Sequence, residues 1–243
     1  MASHGDGNDT PVYVCTTQKG PRPPVGHLPL SAIPGEPSST HHGSHRVMVG
    51  SQGIIPRWDV RTSRPCTLQY YIQTGTFDNP DNLKLTQDLL VKAAKRWNDV
   101  DVGVIFAATT DAAKAHFDVV YIPNPEKPTW IAGTFFPNDV DRFEIYPPSF
   151  NDPDIRKQLV NTFTHEFGHI LGLRHEFAAT KEADPSVQIG VMNPNSIMSY
   201  EWKTRSFSQS DQDGLKTFYA MNPGAFVGKI AIQDYKPVFV KRG

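Results

Sequence analysis

The chain has 243 residues, of which 38% are hydrophobic and 11% aromatic, so it can build a substantial core and is not wholly disordered. Its formal net charge of −1 gives no reason to expect binding to nucleic acid or to an anionic membrane surface. No apolar run approaches the roughly 18 residues of a membrane-spanning helix, and the N-terminus lacks the basic and apolar regions of a signal peptide.

Residues 1 to 65 differ in composition from the remainder of the chain. Prolines alternate with glycine and serine there, and no amphipathic period emerges. Proline removes a backbone donor and fixes φ, so such a segment is a poor helix or strand former. We therefore expect an irregular N-terminal arm over 1–65, which is a candidate pro-segment.

A globular pattern begins at Cys66. A β-branched and aromatic strand is predicted at 67–73, and a helix with one apolar stripe follows from about Pro80 to Asn98. Four further strands are predicted at 104–107, 117–122, 130–136 and 143–146. This order predicts an α+β fold, with a mixed five-stranded twisted sheet and two long helices packed on it.

The second long helix is predicted from Asp152-Pro153, a capping residue followed by proline at the first helical position, to about Leu171. A last, closing helix should begin near Ser208 or Ser210, with Asp211 or Asp213 as its acidic capping partner, and belong to a small C-terminal subdomain. We therefore predict one domain over 66–222 and a tail over 223–243, formed by an appended strand or a loose end.

The second helix carries the strongest chemical signal in the sequence. His165 and His169 lie one turn apart, on the side opposite the apolar stripe, and can present their ring nitrogens to one ion. Gly172 allows the backbone to turn sharply, so that His175 can return as a third ligand. Three protein ligands and one open position are typical of catalytic Zn²⁺.

Glu166 lies close to the predicted ion but points about 100° away from His165 around the helix, so it is poorly aimed as a ligand. That is the place of a general base for a zinc-bound water. The sequence thus predicts hydrolysis of a carbonyl compound, with Glu166 accepting the proton of the attacking water.

Residues 165–175 match the HExxHxxGxxH motif, and the whole pattern resembles the metzincin zinc peptidases. Ser-Ile-Met-Ser-Tyr at 196–200 resembles the Met-turn of that family, which implies that Met198, rather than its rival Met192, forms an apolar base under the metal. In the astacin-like and serralysin-like branches, a tyrosine at the position of Tyr200 can bind zinc at rest and then stabilise the reaction intermediate; a packed aromatic is the alternative.

The resemblance mixes features of several metzincin branches. Glu176 resembles the astacin residue that anchors the mature N-terminus, whereas residues 130–137 resemble the edge strand on which matrixins align their substrate. The helix predicted from Ser208 resembles the closing helix of matrixins and serralysins. The resemblance therefore implies a zincin-like fold with 66–222 as the catalytic domain, and stops at the level of metzincins.

Cys15 and Cys66 are the two cysteines of the chain. A propeptide cysteine occupies the open zinc position in some metzincin zymogens, so Cys15 could latch the site. A Cys15–Cys66 disulfide that pins the arm to the first strand, and an inert thiol, are the alternatives.

The sequence as a whole predicts a zinc-dependent endopeptidase that acts on protein or peptide substrates through a zinc-bound water and Glu166. The alternatives are a catalytically weak zinc-binding effector or protein-binding module on the same fold, and a site in which zinc is only structural. The resemblance implies a secreted zymogen, whereas the missing signal peptide leaves a cytoplasmic location open. Oligomeric state is not indicated by the sequence.

Overall fold

The computed structural model describes residues 15, 46–62, 64–126 and 128–241. The strands within them are β1 (Arg46–Val49), β2 (Ile55–Trp58), β3 (Cys66–Ile72), β4 (Val104–Ala108), β5 (Phe117–Tyr121), β6 (Ala132–Gly133), β7 (Phe143–Ile145), β8 (Leu173–Arg174), β9 (Val187–Gly190), β10 (Phe226–Val227) and β11 (Ile230–Tyr235). The α-helices are α1 (Pro80–Asn98), α2 (Pro148–Asn151), α3 (Pro153–Lys157), α4 (Leu159–Ile170), α5 (Ala178–Lys181) and α6 (Gln209–Ala220).

The principal sheet has five strands in the order β4-β3-β5-β7-β6. Its first four strands pair in parallel, and β6 pairs antiparallel to β7 at one edge. β5 is buried along its whole length, as expected of a parallel strand covered on both faces. The predicted α+β class and the mixed five-stranded sheet are therefore confirmed.

Helix α1 has the predicted bounds. The side chain of Asn79 accepts hydrogen bonds from the backbone nitrogens of Asp81 and Asn82, so it caps the helix ahead of Pro80. The buried stripe ends at Trp97, whose indole nitrogen donates to the carbonyl of Thr164 on α4 at 2.7 Å. This bond fixes α1 beside the helix that carries the histidines.

The second long helix is not continuous as predicted, because it breaks at Gln158. Asp152 caps α3 as expected, accepting from the backbone nitrogens of Asp154 and Ile155. The chain then tightens: the nitrogen of Gln158 donates to the carbonyl of Ile155 at 2.9 Å, and α4 begins anew at Leu159. A hydrogen bond from residue i to residue i−3, as in a 3₁₀ turn, can end an α-helix without glycine or proline. Residue type therefore did not signal the break.

The predicted end of the irregular arm at residue 65 is wrong. β1 pairs antiparallel with β8 and β9, and β2 pairs in parallel with β11. The buried Trp58 donates its indole nitrogen to the carbonyl of Ile170 at 2.7 Å. β1 and β2 therefore belong to the folded body, because strands more than a hundred residues further along satisfy their backbone hydrogen bonds.

The C-terminal part contains the predicted closing helix and an appended strand. Ser208 caps α6 in a capping box with Asp211, which confirms that alternative. Within the predicted tail of 223–243, β11 packs beside β2, and Arg57 binds Asp234 through Nε and Oδ1 at 2.6 Å. None of the helices in the described part of the chain is long and apolar enough to cross a membrane.

Candidate metal centre

Helix α4 and the turn after it position the three histidines. His165 and His169 lie on one face of α4, and both are fully buried. Gly172 has φ of +93°, and a Cβ atom there would overlap the backbone carbonyl oxygen of Pro56. This left-handed residue turns the chain sharply into β8, which delivers His175 to the other two histidines.

The three imidazoles converge on one point. Ring centroids are 4.7 Å apart for His165 and His169, 5.1 Å for His165 and His175, and 4.8 Å for His169 and His175. The Nε2 atoms of His165 and His169 are 3.1 Å apart. Two nitrogens on a tetrahedral Zn²⁺ lie about 3.3 Å from each other, given Zn–N bonds of about 2.0–2.1 Å, so this separation fits zinc.

Each ring is held in the tautomer that a metal ligand requires. Nδ1 of His165 lies 2.8 Å from the carbonyl oxygen of Ile197, and Nδ1 of His169 lies 2.8 Å from that of Leu173. Nδ1 of His175 lies 2.7 Å from Oε1 of Glu182. These oxygens can only accept, so Nδ1 carries the proton and the Nε2 lone pair faces the centre of the cluster.

Burial keeps the histidines neutral. It is the largest cause that lowers the pKa of His165 and of His169 well below the usual value, and neighbouring positive groups add to it. Burial also lowers the pKa of His175, against the opposing effect of Glu182. Because a metal binds the neutral imidazole, this electrostatic setting favours ligation.

Cys15 lies at the same cluster. Its Sγ is 3.6 Å from Nε2 of His169 and 3.4 Å from Oε2 of Glu166, and the Sγ and histidine ligand atoms all lie within 4.8 Å of one another. The alternative of a Cys15–Cys66 disulfide is wrong, since both residues are thiols and Cys66 is buried in β3. The rest of the predicted arm before residue 46 lies outside the described residues.

Met198 lies directly under α4. Its side chain is 1% exposed and contacts Gly168, which stands between the two helical histidines. The preceding carbonyl, that of Ile197, is the one that faces His165. Met192 is 40% exposed, so of the two methionines only Met198 is placed beneath the cluster.

Tyr200 and Glu176 have partners that the sequence did not indicate. The ring of Tyr200 lies against that of His175 with centroids 4.2 Å apart, and its hydroxyl donates to Glu182. Glu176 accepts from the backbone nitrogen of Asn193, and its own nitrogen donates to the carbonyl of Met198 at 3.0 Å. Glu176 thereby ties the segment after His175 to the Met198 turn.

Sequence reasoning missed Glu182. Its carboxylate accepts hydrogen bonds from His175, from Tyr200 and from the guanidinium of Arg174. Burial by itself would raise its pKa, but the hydrogen bond from His175, the charge of Arg174 and the hydrogen bond from the Tyr200 hydroxyl lower the pKa to about 2. Its position seven residues after His175 carries no periodic signal, and nothing in the sequence separates it from the neighbouring acidic residues.

Arg205 is a second omission. Its guanidinium is buried and donates from Nη2 to Oγ1 of Thr162, one turn before His165. Burial lowers its pKa to about 10, although the charges of Glu166 and Cys15 oppose that effect. The positive charge of Arg205 and the Glu166 carboxylate therefore interact electrostatically.

The edge of the principal sheet lies beside the cluster, as the edge-strand expectation required. β6 is the terminal strand of that sheet within the described residues, although only Ala132–Gly133 of the predicted 130–136 are strand. Beyond it the buried ring of Phe136 packs edge-on against His169, with centroids 5.5 Å apart. Phe136, three residues after β6, thus forms part of one wall of the site.

Two curated proteins are similar to part of this chain. Both are named serralysin, one from Photorhabdus luminescens at 36% identity and one from Photorhabdus laumondii subsp. laumondii at 35%. Each match covers 37% of this chain and 20% of the relative, so the chain spans a fifth of the length of these relatives. No protein-family model matches the chain. At a coarse level, the partial similarity and the histidine–cysteine cluster agree with a zinc peptidase.

Proposed function

We propose that this chain is a zinc-dependent endopeptidase of the metzincin type, with a zincin-like fold. The observation that carries the proposal is the convergence of three Nε2-presenting histidines on a buried point beside Glu166. Hydrogen-bonded Nδ1 atoms and neutral rings make this a preformed donor set for zinc. The similarity to serralysins supports the same reading.

The histidines and Glu166 would have different roles in peptide hydrolysis. His165, His169 and His175 would hold Zn²⁺, which when bound supplies Lewis-acid activation of water and of the scissile carbonyl. Glu166 takes the proton from the attacking water and transfers it to the leaving amine. Its Oε2 lies 3.4 Å from Sγ of Cys15, which is itself one of the four candidate ligand atoms, and this proximity supports the role.

An extended peptide is the substrate that suits the wall of the site. β6 ends the principal sheet within the described residues and runs antiparallel to β7. A substrate chain aligned along such an edge would hydrogen-bond through its backbone and leave alternate side chains for pockets. By the metzincin resemblance, we propose that the enzyme acts on proteins or peptides outside the cell.

Cys15 would close the site in the chain as it stands. Its thiolate would be the fourth donor, so the full chain is a latent form that must release Cys15 before substrate can bind. The same observation favours a second candidate, a permanently closed structural zinc site with three histidines and one cysteine. That candidate assigns no chemical role to Glu166.

Variants at Cys15 and Glu166 test the proposal. We expect Cys15→Ser to retain zinc and to cleave casein or a quenched peptide, with activity lost on chelation and restored by Zn²⁺. Adding Glu166→Gln should leave the zinc content unchanged and reduce turnover by about 10²–10⁴-fold, the usual effect of losing a general base.

Two results would contradict the proposal. Equal activity of Cys15→Ser with and without Glu166→Gln would remove Glu166 from the mechanism. An inactive Cys15→Ser protein that binds zinc more weakly and unfolds more easily would instead support the structural site.

A further inference from the structure

The carboxylate of Glu182 joins three side chains at the cluster. It accepts from Nδ1 of His175 at 2.7 Å, from the Tyr200 hydroxyl, and from Nη2 of Arg174. The Glu182 side chain is only 8% exposed, so these bonds form away from bulk water. Charge-assisted hydrogen bonds in such surroundings are among the strongest that a protein makes.

The two oxygens of this carboxylate have different partners. Oε1 accepts from both His175 and Tyr200, whereas Oε2 accepts from Arg174. Arg174 is itself 1% exposed and donates from Nη1 to the carbonyl of Gly50, directly after β1, at 2.7 Å. Arg174 on β8 therefore ties the carboxylate to the small sheet β8-β1-β9, independently of the rings of His175 and Tyr200.

The hydrogen bond to Glu182 sets the tautomer and the orientation of the His175 ring. With Nδ1–H donating to Oε1, the Nε2 lone pair is directed at His165 and His169. A carboxylate in this position fixes the ring orientation and increases the basicity of the ligand nitrogen. His175 is the one histidine of the three with a charged acceptor, since the other two face backbone carbonyls.

The same oxygen determines where Tyr200 lies. The phenol ring of Tyr200 lies against the ring of His175. Nζ of Lys181 lies 4.7 Å from the centroid of the same phenol ring. The hydroxyl is directed at Glu182, whose carboxylate is also bonded to Arg174 and His175. To reach a metal held by the histidines, Tyr200 would first have to break this hydrogen bond.

We propose that Glu182 is a positioning residue with two roles: it orients His175 toward the metal, and it holds the Tyr200 hydroxyl off the metal at rest. This inference rests on the proposed function, because it needs the three histidines to bind a metal ion. It assigns Tyr200 a resting position different from the zinc-bound one that the metzincin resemblance implied.

Copper substitution reports directly on Tyr200, because a phenolate bound to Cu²⁺ gives an intense charge-transfer band in the visible region. The full chain should carry Cys15→Ser, so that no thiolate contributes to the spectrum. We expect no phenolate band in this parent protein, a band in Glu182→Gln, and its loss again in Glu182→Gln/Tyr200→Phe.

Competition with a chromogenic chelator tests the role toward His175. Glu182→Gln keeps an acceptor oxygen but removes the negative charge behind His175, and it should bind Zn²⁺ about 10–100-fold more weakly, as is usual when the outer partner of a histidine ligand is changed. Asp184→Asn is the matched control: Asp184 Oδ2 lies 3.8 Å from Nη1 of Arg174, and its side chain is 53% exposed. It should leave both the spectrum and the zinc affinity unchanged.

A phenolate band in the copper-loaded parent would overturn the proposal, as would unchanged zinc affinity and no band in Glu182→Gln. If Glu182→Gln does not fold, Tyr200→Phe in the parent still decides the resting position, because the two copper spectra superimpose only if Tyr200 is off the metal. Glu182→Asp then tests the role toward His175, since its shorter side chain should also weaken zinc binding. A folded parent that binds neither Cu²⁺ nor Zn²⁺ would refute the proposed function instead.

Discussion

Met198 occupies the space beside Gly168 that any larger residue on α4 would need. A Cβ atom at position 168 would overlap Met198 Sδ and would lie 3.2 Å from Met198 Cε. It would also lie 3.3 Å from Cζ2 of Trp97. The glycine between the two helical histidines therefore allows the Met198 turn to pack directly against their helix.

This packing predicts that the effect of Gly168→Ala depends on Met198. In the parent we expect a loss of about 1–2 kcal/mol of unfolding free energy, because overpacking outweighs the better helix propensity of alanine. In a Met198→Ala background the same change should be neutral or stabilising, since the overlap with Met198 is then gone and only the milder contact with Trp97 remains. Urea unfolding of the metal-free proteins measures both values, and equal effects in the two backgrounds would contradict the packing account.

Gly172 should tolerate no side chain. Gly172→Ala combines a positive φ with overlap of the Pro56 carbonyl oxygen, a backbone atom that cannot rotate away. Gly53→Ala is a matched control, with φ of +80° and no heavy atom within 4 Å of the added Cβ. We expect about 1–2 kcal/mol of destabilisation for the control and clearly more for Gly172→Ala, with weaker zinc binding because His175 moves. Similar urea midpoints for the two variants would exclude the clash.

The buried pair of Arg57 and Asp234 should hold β2 and β11 together. Arg57 is 1% exposed, and Asp234→Ala would leave its charge without the carboxylate at 2.6 Å. We expect a loss of about 3 kcal/mol of unfolding free energy. Asp88→Ala breaks a solvent-exposed pair with Lys84 and should change stability by less than about 1 kcal/mol. Equal losses in chemical denaturation would show that the Arg57–Asp234 pair contributes no more than the exposed pair.

Cys15 and Cys66 should differ in their reaction with iodoacetamide. Burial raises the pKa of Cys66 to about 12, so at pH 8 it stays protonated, and we expect labelling only after unfolding. Cys15 should label in the metal-free folded chain and be protected by Zn²⁺, because the metal would bind the reactive thiolate. Mass spectrometry of the alkylated protein counts both reactions. Identical labelling of Cys15 with and without zinc would argue against it as the fourth donor.

The sequence predicted best where structure depends on neighbours in the chain. The helix from Pro80 to Asn98, the cap at Asp152 and the five strands of the principal sheet were predicted as elements, although β6 is much shorter than predicted. Ser208 was one of the two caps proposed for the closing helix. The break at Gln158 was not, because it arises from one hydrogen bond that spans three residues in place of four, which no residue type demands.

The pairings of β1 and β2 were missed for a different reason. Each is four residues long, and the partner strands β8, β9 and β11 lie more than a hundred residues away. A short apolar run gains its backbone hydrogen bonds only after the body has folded, so local pattern does not distinguish it from a loop.

By itself, the sequence determined that His165 and His169 share a helix face and that a turn at Gly172 follows, since the helical period and glycine's freedom at positive φ are local properties. Only the tertiary structure decided that Glu182 accepts a hydrogen bond from His175 and that the same oxygen accepts one from Tyr200. It also decided that Cys15 reaches the cluster as a thiol and is not bonded to Cys66. Those relationships depend on how the chain folds after His175 and on how the distant Cys15 packs against it. No spacing along the chain encodes them.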